Sequence, residues 1–353
     1  MRKQRGISLV ELMVSITLGL ILMTGVVQLF LSSRATFSTQ QAASGVQESG
    51  RLAMEFISQD IRMAGFMGCM SRHTSLTNTL KQNDSLLYRF DVAIEGADIS
   101  NDGGGKAPAG YPKDIVDGTD VLVVRGATGN SVGVTQNNNG AELFAEFTNR
   151  EARACDGGAD RLSGLCPNDV LVVSDCAKSR IFQAVQLTAA DGDTEVNVVH
   201  SGKSSAAPGN AKASWGGTSL PPSAIFGPGS QIIQIQTSIY YIAEATSGRP
   251  ALWRQVGNQD PRQLLVGIEN MQLEYGEDTS GDGIPDNYRN AKDIADWNCV
   301  TGVRIQLLVA SVDDNALPEP QAYTFAGTEE KDPGDRRLRH VFVSTVGIRS
   351  RLP

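Results

Sequence analysis

The stretch GISLVELMVS, from Gly6 to Ser15, opens a long apolar run that carries one carboxylate, that of Glu11. The run extends from Ile7 to Leu31, and as a helix its residues from Leu12 onward would span roughly 30 Å, the thickness of a bilayer hydrocarbon core. An ionised glutamate at that depth costs on the order of a few kcal/mol unless it finds a partner. The sequence therefore predicts a membrane-spanning helix in which Glu11 has a functional role.

Two simpler explanations of this segment are a secretory signal peptide and a plain membrane anchor. A signal peptide has an apolar core of about 7–15 residues followed by a small-x-small cleavage site. Here the core is longer, it contains a carboxylate, and Ser32-Ser33-Arg34-Ala35 follows it. An anchor fits better, because the basic residues Arg2, Lys3 and Arg5 favour a cytoplasmic N-terminus. It leaves Glu11 unexplained.

The helical pattern continues beyond the apolar segment. Apolar residues recur at spacings of three, four and seven from Ala42 to Ala64, and no proline occurs before Pro108. We therefore expect one helix from Ile7 to about Gly65, roughly 90 Å long. Its first half is apolar on all sides and its second half has a single apolar stripe.

After Gly65 the pattern changes to short β-type runs separated by Gly, Asn, Asp and Pro. Alternating apolar and polar residues in QIIQIQ, from Gln231, indicate a half-exposed antiparallel strand. The predicted fold class is α+β, with the long N-terminal helix packed on an antiparallel β-rich globular domain. The segment 201–229, rich in Gly, Ser and Pro, either divides two β subdomains or is a long excursion from one sheet.

Composition and motifs exclude several function classes. The 353 residues carry a net charge of −8, which does not suggest the basic surface of a nucleic-acid-binding protein. No GxSxG motif is present, and the three histidines are isolated from one another. The nearest approach to a phosphate-binding loop, Asn197 to Ser204, has Asn197 where the motif requires glycine. We therefore predict a protein that is not an enzyme.

The five cysteines, Cys69, Cys155, Cys166, Cys176 and Cys299, all follow the apolar segment. The charge bias places them outside the cytoplasm, where disulfides form and persist. An odd number leaves at least one thiol unpaired, and two bridges among five cysteines allow fifteen arrangements. We favour the pairs Cys155–Cys166 and Cys69–Cys176, with Cys299 free. No CxxC spacing indicates a zinc site.

The stretch DTSGDGIPD, from Asp278 to Asp286, resembles the first part of an EF-hand-type calcium loop. Its oxygen ligands and sharp glycine turn match the preferences of calcium, but Arg289 occupies the twelfth position, where the motif has a bidentate glutamate. A polar β-hairpin turn is the alternative. No other cofactor is predicted. The candidate calcium ligands are Asp278, Ser280, Asp282, Ile284 and Asp286.

The N-terminal motif resembles that of type IV prepilins. A basic leader ends in Gly6, the apolar segment starts at Ile7, and a glutamate follows at Glu11. Within that class, the stretch from Gln47 to Cys69 and the C-terminal RLRHVFVSTVGIR resemble the PilW family of minor pilins. The predicted regions are a leader at 1–6, a transmembrane assembly helix at 7–31, its amphipathic continuation at 32–68 and a periplasmic β-rich domain at 69–353.

The resemblance implies that a prepilin peptidase cuts between Gly6 and Ile7 and methylates the new amino group. It also implies that Glu11 meets the mature N-terminal amine of a neighbouring subunit. The expected function is that of a minor pilin that helps to initiate pilus assembly in a tip subcomplex with other minor pilins and a large tip adhesin. The expected location is the inner membrane, with the domain in the periplasm, and then the pilus. The alternatives are a minor pseudopilin of a type II secretion system and a membrane-anchored periplasmic calcium-binding module.

Overall fold

The computed structural model describes residues 8–68, 75–99, 107–151, 155–190, 192, 194–200, 202, 206–211, 215 and 220–352. One helix, α1, extends over Leu9–Arg62. Five short 3-10 turns lie at Asp156–Gly158, Pro222–Ala224, Ala291–Asp293, Trp297–Cys299 and Arg349–Arg351. The strands are β1 (Ser75–Asn78), β2 (Ile94–Asp98), β3 (Asp120–Gln136), β4 (Glu142–Glu146), β5 (Arg150–Glu151), β6 (Arg161–Leu162), β7 (Val170–Ser174), β8 (Lys178–Gln183), β9 (Gln186–Ala190), β10 (Glu195–Val199), β11 (Gln231–Glu244), β12 (Pro250–Val256), β13 (Arg262–Val266), β14 (Ile268–Glu277), β15 (Asn287–Arg289), β16 (Val300–Ala310), β17 (Tyr323–Phe325), β18 (Thr328–Glu330) and β19 (Arg339–Gly347).

Two main sheets form the globular domain. The large sheet has the order β1-β8-β7-β11-β3-β4-β10-β9, with β2 beside β3, β12 beside β11 and β13 beside β12. The second sheet has the order β15-β14-β16-β19, and two small hairpins, β17-β18 and β5-β6, complete the described strands. Neighbouring strands run antiparallel except for β1 and β8. The predicted fold class, a long helix with an antiparallel β-rich domain, is confirmed.

The predicted apolar stripe of the helix forms one side of the main core. Val46, Ala53, Ile57 and Ile61 are buried there, against apolar residues of the four-stranded sheet and of β2, β3 and β11. Burying such side chains stabilises the fold by about 1.5–3 kcal/mol for each large one. The second half of the helix is therefore held by packing, as its period of 3.6 residues predicts.

Gly50 packs against the four-stranded sheet. A Cβ atom at this position would lie 2.1 Å from the ring of Phe342 on β19, so only glycine allows the contact. Glycine inside a helix costs about 1 kcal/mol relative to alanine. Close packing against Phe342 accounts for the glycine at this position.

The C-terminal end of α1 is tied to the large sheet by polar contacts. The carboxylate of Asp60 accepts hydrogen bonds from Tyr240 Oη at 2.7 Å and from Arg254 Nη2 at 2.8 Å. The hydroxyl of Ser350 donates to the carbonyl of Ala64 at 2.8 Å. The helix end therefore has a fixed position relative to the domain.

A buried arginine organises the turn between residues 86 and 95. Arg125, on β3, is fully buried, donates to the carbonyls of Leu86 and Val92, and pairs with the buried carboxylate of Glu95. Glu95 also binds the half-buried Arg89. Burial lowers the pKa of Arg125, and Glu95 opposes that effect. A buried charge of this kind needs its partner.

Asp120 joins the two main sheets. Its Oδ2 atom accepts a hydrogen bond from the amide of Leu273, on β14, at 2.7 Å. Burial, aided by the charge of Asp98 and opposed by this hydrogen bond, raises the pKa of Asp120 to about 7. The native protein therefore binds this proton more tightly than the unfolded chain does, and stability falls as pH rises from about 4 to about 7.

We expect Asp120→Asn to stabilise the protein in alkaline solution. The amide oxygen of asparagine can still accept from Leu273, while the cost of a buried charge disappears. The gain at pH 8 should be on the order of 1–4 kcal/mol and should vanish near pH 4. Denaturant titrations of both proteins across this pH range measure it, and an equal difference at pH 4 and pH 8 would contradict the assignment.

Candidate functional site

The first half of α1 extends away from the domain. Every residue from Ser8 to Ser38 is exposed, and the first tertiary hydrogen bond is that from Thr39 Oγ1 to the carbonyl of Ala316, at 2.8 Å. Thirty residues of helix measure about 45 Å, which exceeds the thickness of a bilayer core. Within the described residues this is the one helix long and apolar enough to cross a membrane.

The polar side chains in this half of the helix differ in whether they have a hydrogen-bond partner within the helix. The hydroxyls of Ser15, Thr17 and Thr24 donate to helix carbonyls one turn earlier, at 2.7, 3.0 and 2.8 Å. A hydroxyl can do this because it carries a proton, whereas an ionised carboxylate only accepts. Only the backbone amides of the first helical turn lack a partner within the helix, so they are the donors nearest to a carboxylate at this end.

Glu11 lies in the first turn of α1 and its side chain is exposed. In the described part of the chain its carboxylate has neither a hydrogen bond nor an ion pair. The helix N-terminus favours a negative charge by about 0.3–1 kcal/mol, which is less than the cost of placing that charge in hydrocarbon. The carboxylate therefore needs a further donor if this part of the helix lies in hydrocarbon. Gly6 and Ile7, the predicted processing residues, lie outside the described residues.

The structure brings together the first predicted pair of cysteines. Cys155 and Cys166 form a disulfide with a Cα–Cα distance of 5.7 Å, which confirms this pair. Cys176 is also disulfide-bonded. Cys69 lies outside the described residues, so the pair Cys69–Cys176 stays a prediction. Among the described cysteines Cys299 is the free one, and it is half-buried.

The candidate calcium loop is a hairpin connection between β14 and β15. The carboxylate of Asp278 accepts from the amides of Gly281 and Gly283, at 2.5 and 2.8 Å, and Asp286 accepts from the amide and hydroxyl of Thr279, both at 2.7 Å. Desolvation opposes these hydrogen bonds at Asp278, but together they hold its pKa below the ordinary value. The carboxylates therefore close the loop on its own backbone.

The remaining predicted ligands do not complete a metal site. Asp282 Oδ1 accepts from the amide of Ile284 at 2.8 Å, and Ser280 Oγ donates to Asp278 at 3.3 Å. Across the described ranges, no three acidic, histidine or cysteine side chains are grouped to hold a metal ion. The polar hairpin turn is the alternative that this geometry favours, and the calcium site stays a prediction.

Sequence reasoning missed the buried pair Arg125–Glu95 and a second buried arginine, Arg180. Arg125 follows the apolar run of β3, and Arg180 lies in β8 directly before Ile181 and Phe182. A charged residue in or beside an apolar strand is the signal that could have found both. Strand alternation alone does not say which face is covered, so it could not show that the two arginines are buried.

Comparisons with known families match both ends of the chain. Residues 1–27 match the prokaryotic N-terminal methylation motif, and residues 239–350 match the family described as type IV pilus-assembly protein W, PilW. Searches of curated proteins and of solved structures found no match. The second match covers β14, β16 and β19, the strands that carry the docked half of the helix.

The methylation motif belongs to the segment that projects from the domain, and the PilW match belongs to the sheet against which the helix packs. Pilin-family domains are structural rather than enzymatic. The two matches and the architecture agree with one another, and they support a type IV pilus minor pilin. The methylation motif at residues 1–27, the exposed apolar helix and the PilW match at residues 239–350 together support a PilW-family type IV pilin.

Proposed function

We propose that this minor pilin helps to initiate pilus assembly at the inner membrane, as one subunit of a tip complex with other minor pilins and a large tip adhesin. The observation that carries the proposal is that, within the described residues, the carboxylate of Glu11 has no partner and the apolar half of the helix is exposed. A subunit with that surface is stabilised by neighbouring helices.

The chemistry at the N-terminus supports the same proposal. Cleavage between Gly6 and Ile7 by a prepilin peptidase creates an amine four residues before Glu11, and its methylation retains a positive charge. When subunits stack, that amine on one subunit supplies the donor that the carboxylate of another subunit requires. Pairing offsets the desolvation of both charges, whereas either charge alone in lipid is costly.

The proposed location follows from the charges that flank the apolar segment. Arg2, Lys3 and Arg5 favour the cytoplasmic side, so the β domain lies in the periplasm before assembly and on the cell surface afterwards. The disulfide Cys155–Cys166 agrees with an oxidising compartment.

Leader processing gives a first test. We expect Gly6→Ala to reduce cleavage strongly, because the peptidase must approach the backbone where a side chain would intrude. The uncut precursor should accumulate in the membrane, and immunoblotting of membrane fractions against a strain lacking the peptidase measures it. Ser8→Ala is the control, since it changes a neighbouring residue after the cut. Normal processing of Gly6→Ala would contradict the proposed site.

A minor pseudopilin of a type II secretion system remains the second candidate, because it would share the methylation motif and the exposed helix. A deletion strain separates the two. Loss of surface pili and twitching with normal secretion of exoproteins supports the pilus role, whereas retained pili with failed secretion supports the alternative.

A further inference from the structure

Arg180, on β8, is a buried arginine without a carboxylate. It is 8% exposed, and its guanidinium lies 5.0 Å from the ring centroid of Trp215. Within the described residues it makes no ion pair, and its Nε atom is buried without a hydrogen-bond partner. Burial lowers the pKa of Arg180, but a guanidinium stays charged near neutral pH.

The other cations that stack on aromatic rings in the described structure all have an acidic partner. Lys178 has Asp175 at 2.5 Å, Arg254 has Asp60 at 2.8 Å, Arg304 has Glu274 at 3.0 Å and Arg339 has Glu269 at 2.7 Å. Arg180 is the exception. Since buried charges in proteins are paired, this exception calls for an anion from elsewhere.

The surroundings of Arg180 offer further donors. The Trp215 ring stacks on His200 at a centroid distance of 3.9 Å, and Phe182 packs edge-on against both rings. Trp215 Nε1 and both ring nitrogens of His200 are buried, and none of the described residues is hydrogen-bonded to them. Burial lowers the pKa of His200 to about 4, so near neutral pH it is uncharged and Arg180 supplies the positive charge.

The sequence of the adjoining segment explains why the chain does not neutralise this arginine there. Residues 201–230 include Trp215 and contain no aspartate or glutamate, whereas lysine occurs at positions 203 and 212. The titratable groups that act on His200 are Arg180 itself and the carboxylate of Glu142, which already accepts from Asn139 at 2.6 Å and Asn197 at 3.2 Å.

We propose that Arg180, together with the indole N–H of Trp215 and a ring nitrogen of His200, binds a single oxyanion, a carboxylate or a phosphate, carried by another molecule. The planar fork of a guanidinium matches both groups, and charge-assisted hydrogen bonds to it are strong. The ring stack holds the donors in place, and at 8% exposure Arg180 admits one compact group rather than an extended ligand.

The test uses the full-length processed protein in detergent, titrated with sodium phosphate or sodium acetate against sodium chloride at constant ionic strength. The readout is the indole ¹H–¹⁵N resonance of Trp215, assigned by its loss in Trp215→Phe. We expect a saturable shift. Arg180→Met should weaken binding at least about tenfold, and the matched control Arg304→Met, which removes an arginine that has its own glutamate, should leave it unchanged.

Stability without added anion distinguishes ligand binding from packing. If Arg180 serves only as packing, Arg180→Met lowers the thermal midpoint in chloride. If its charge awaits an anion, the variant unfolds at the same or a higher temperature, because an unpaired buried charge has been removed. Arg180→Lys keeps the charge but loses the fork, and it should bind more weakly than the wild type.

The anion titration has three informative outcomes. No shift of the Trp215 indole with either anion, or a shift that persists in Arg180→Met, overturns the proposal. If the shift occurs and phosphate also displaces co-purified pilins, the natural group is a carboxylate or phosphate on a partner. If the shift occurs and the pilins stay bound, the natural group is a free anion.

Discussion

Glu11→Val should give a protein that is cleaved normally and resides in the membrane, yet is recruited poorly into the filament or its priming complex. The substitution removes a costly polar group from an apolar helix, so insertion itself improves. On docking, however, it leaves the amine of a neighbouring subunit unpaired. Removing one partner of a buried ion pair costs about 3–5 kcal/mol, which corresponds to a loss of at least about 100-fold in affinity.

Co-purification or crosslinking with the other pilins, at matched membrane levels, measures this effect. Ser15→Val is the control, because it removes a polar group one turn away whose hydroxyl is satisfied by the carbonyl of Glu11 within the same helix. Ser15→Val should therefore retain its partners. Equal recovery of partners with wild-type and Glu11→Val protein would show that the carboxylate has no role in assembly.

Glu95→Gln should be the most destabilising of the conservative changes considered in the β domain. Glu95 is 2% exposed and neutralises the fully buried Arg125 while also binding Arg89. The glutamine leaves Arg125 charged and unpaired in the core, at a cost of about 3–5 kcal/mol. For a domain of this size the thermal midpoint should fall by roughly 10 °C.

Glu274→Gln is the matched control for this prediction. Its carboxylate pairs with Arg304 at 3.0 Å, but both side chains are about a third exposed. Exposed ion pairs contribute about 0–1 kcal/mol, so this variant should unfold within a few degrees of the wild type. Calorimetry of the three proteins makes the comparison, and equal midpoints for the two variants would refute the role assigned to Arg125.

The sequence predicts different amounts of the structure in the helix and in the β domain. The buried stripe of α1 at Val46, Ile57 and Ile61 could be predicted, because apolar residues that recur with a period of 3.6 lie on one face of a helix. The β content that follows the helix was also predicted, from turn residues, and the pair Cys155–Cys166 was favoured from its local spacing. Each of these signals is contained in a short stretch of chain.

The features that were not predictable depend on distant parts of the chain. Glu95 and Arg125 meet across two strands, and Trp215 reaches Arg180 from a segment rich in glycine and serine. Residue type showed that Glu95, Arg125 and Arg180 carry charge, but only the tertiary arrangement shows that they are buried and which partner is present or missing. At the loop that begins with Asp278, the sequence pattern suggested a metal site, but the same spacing also suits carboxylates that accept hydrogen bonds from backbone amides.

The most direct measurement is the intact mass of this protein recovered from sheared and purified pili. If it is a processed minor pilin that assembles through its N-terminal helix, the mass corresponds to a chain that starts at Ile7 and carries one methyl group, and the Glu11→Val protein is depleted from the same fraction. A chain that retains residues 1–6, begins elsewhere, or occurs only in the cell envelope while pili are abundant would contradict that conclusion.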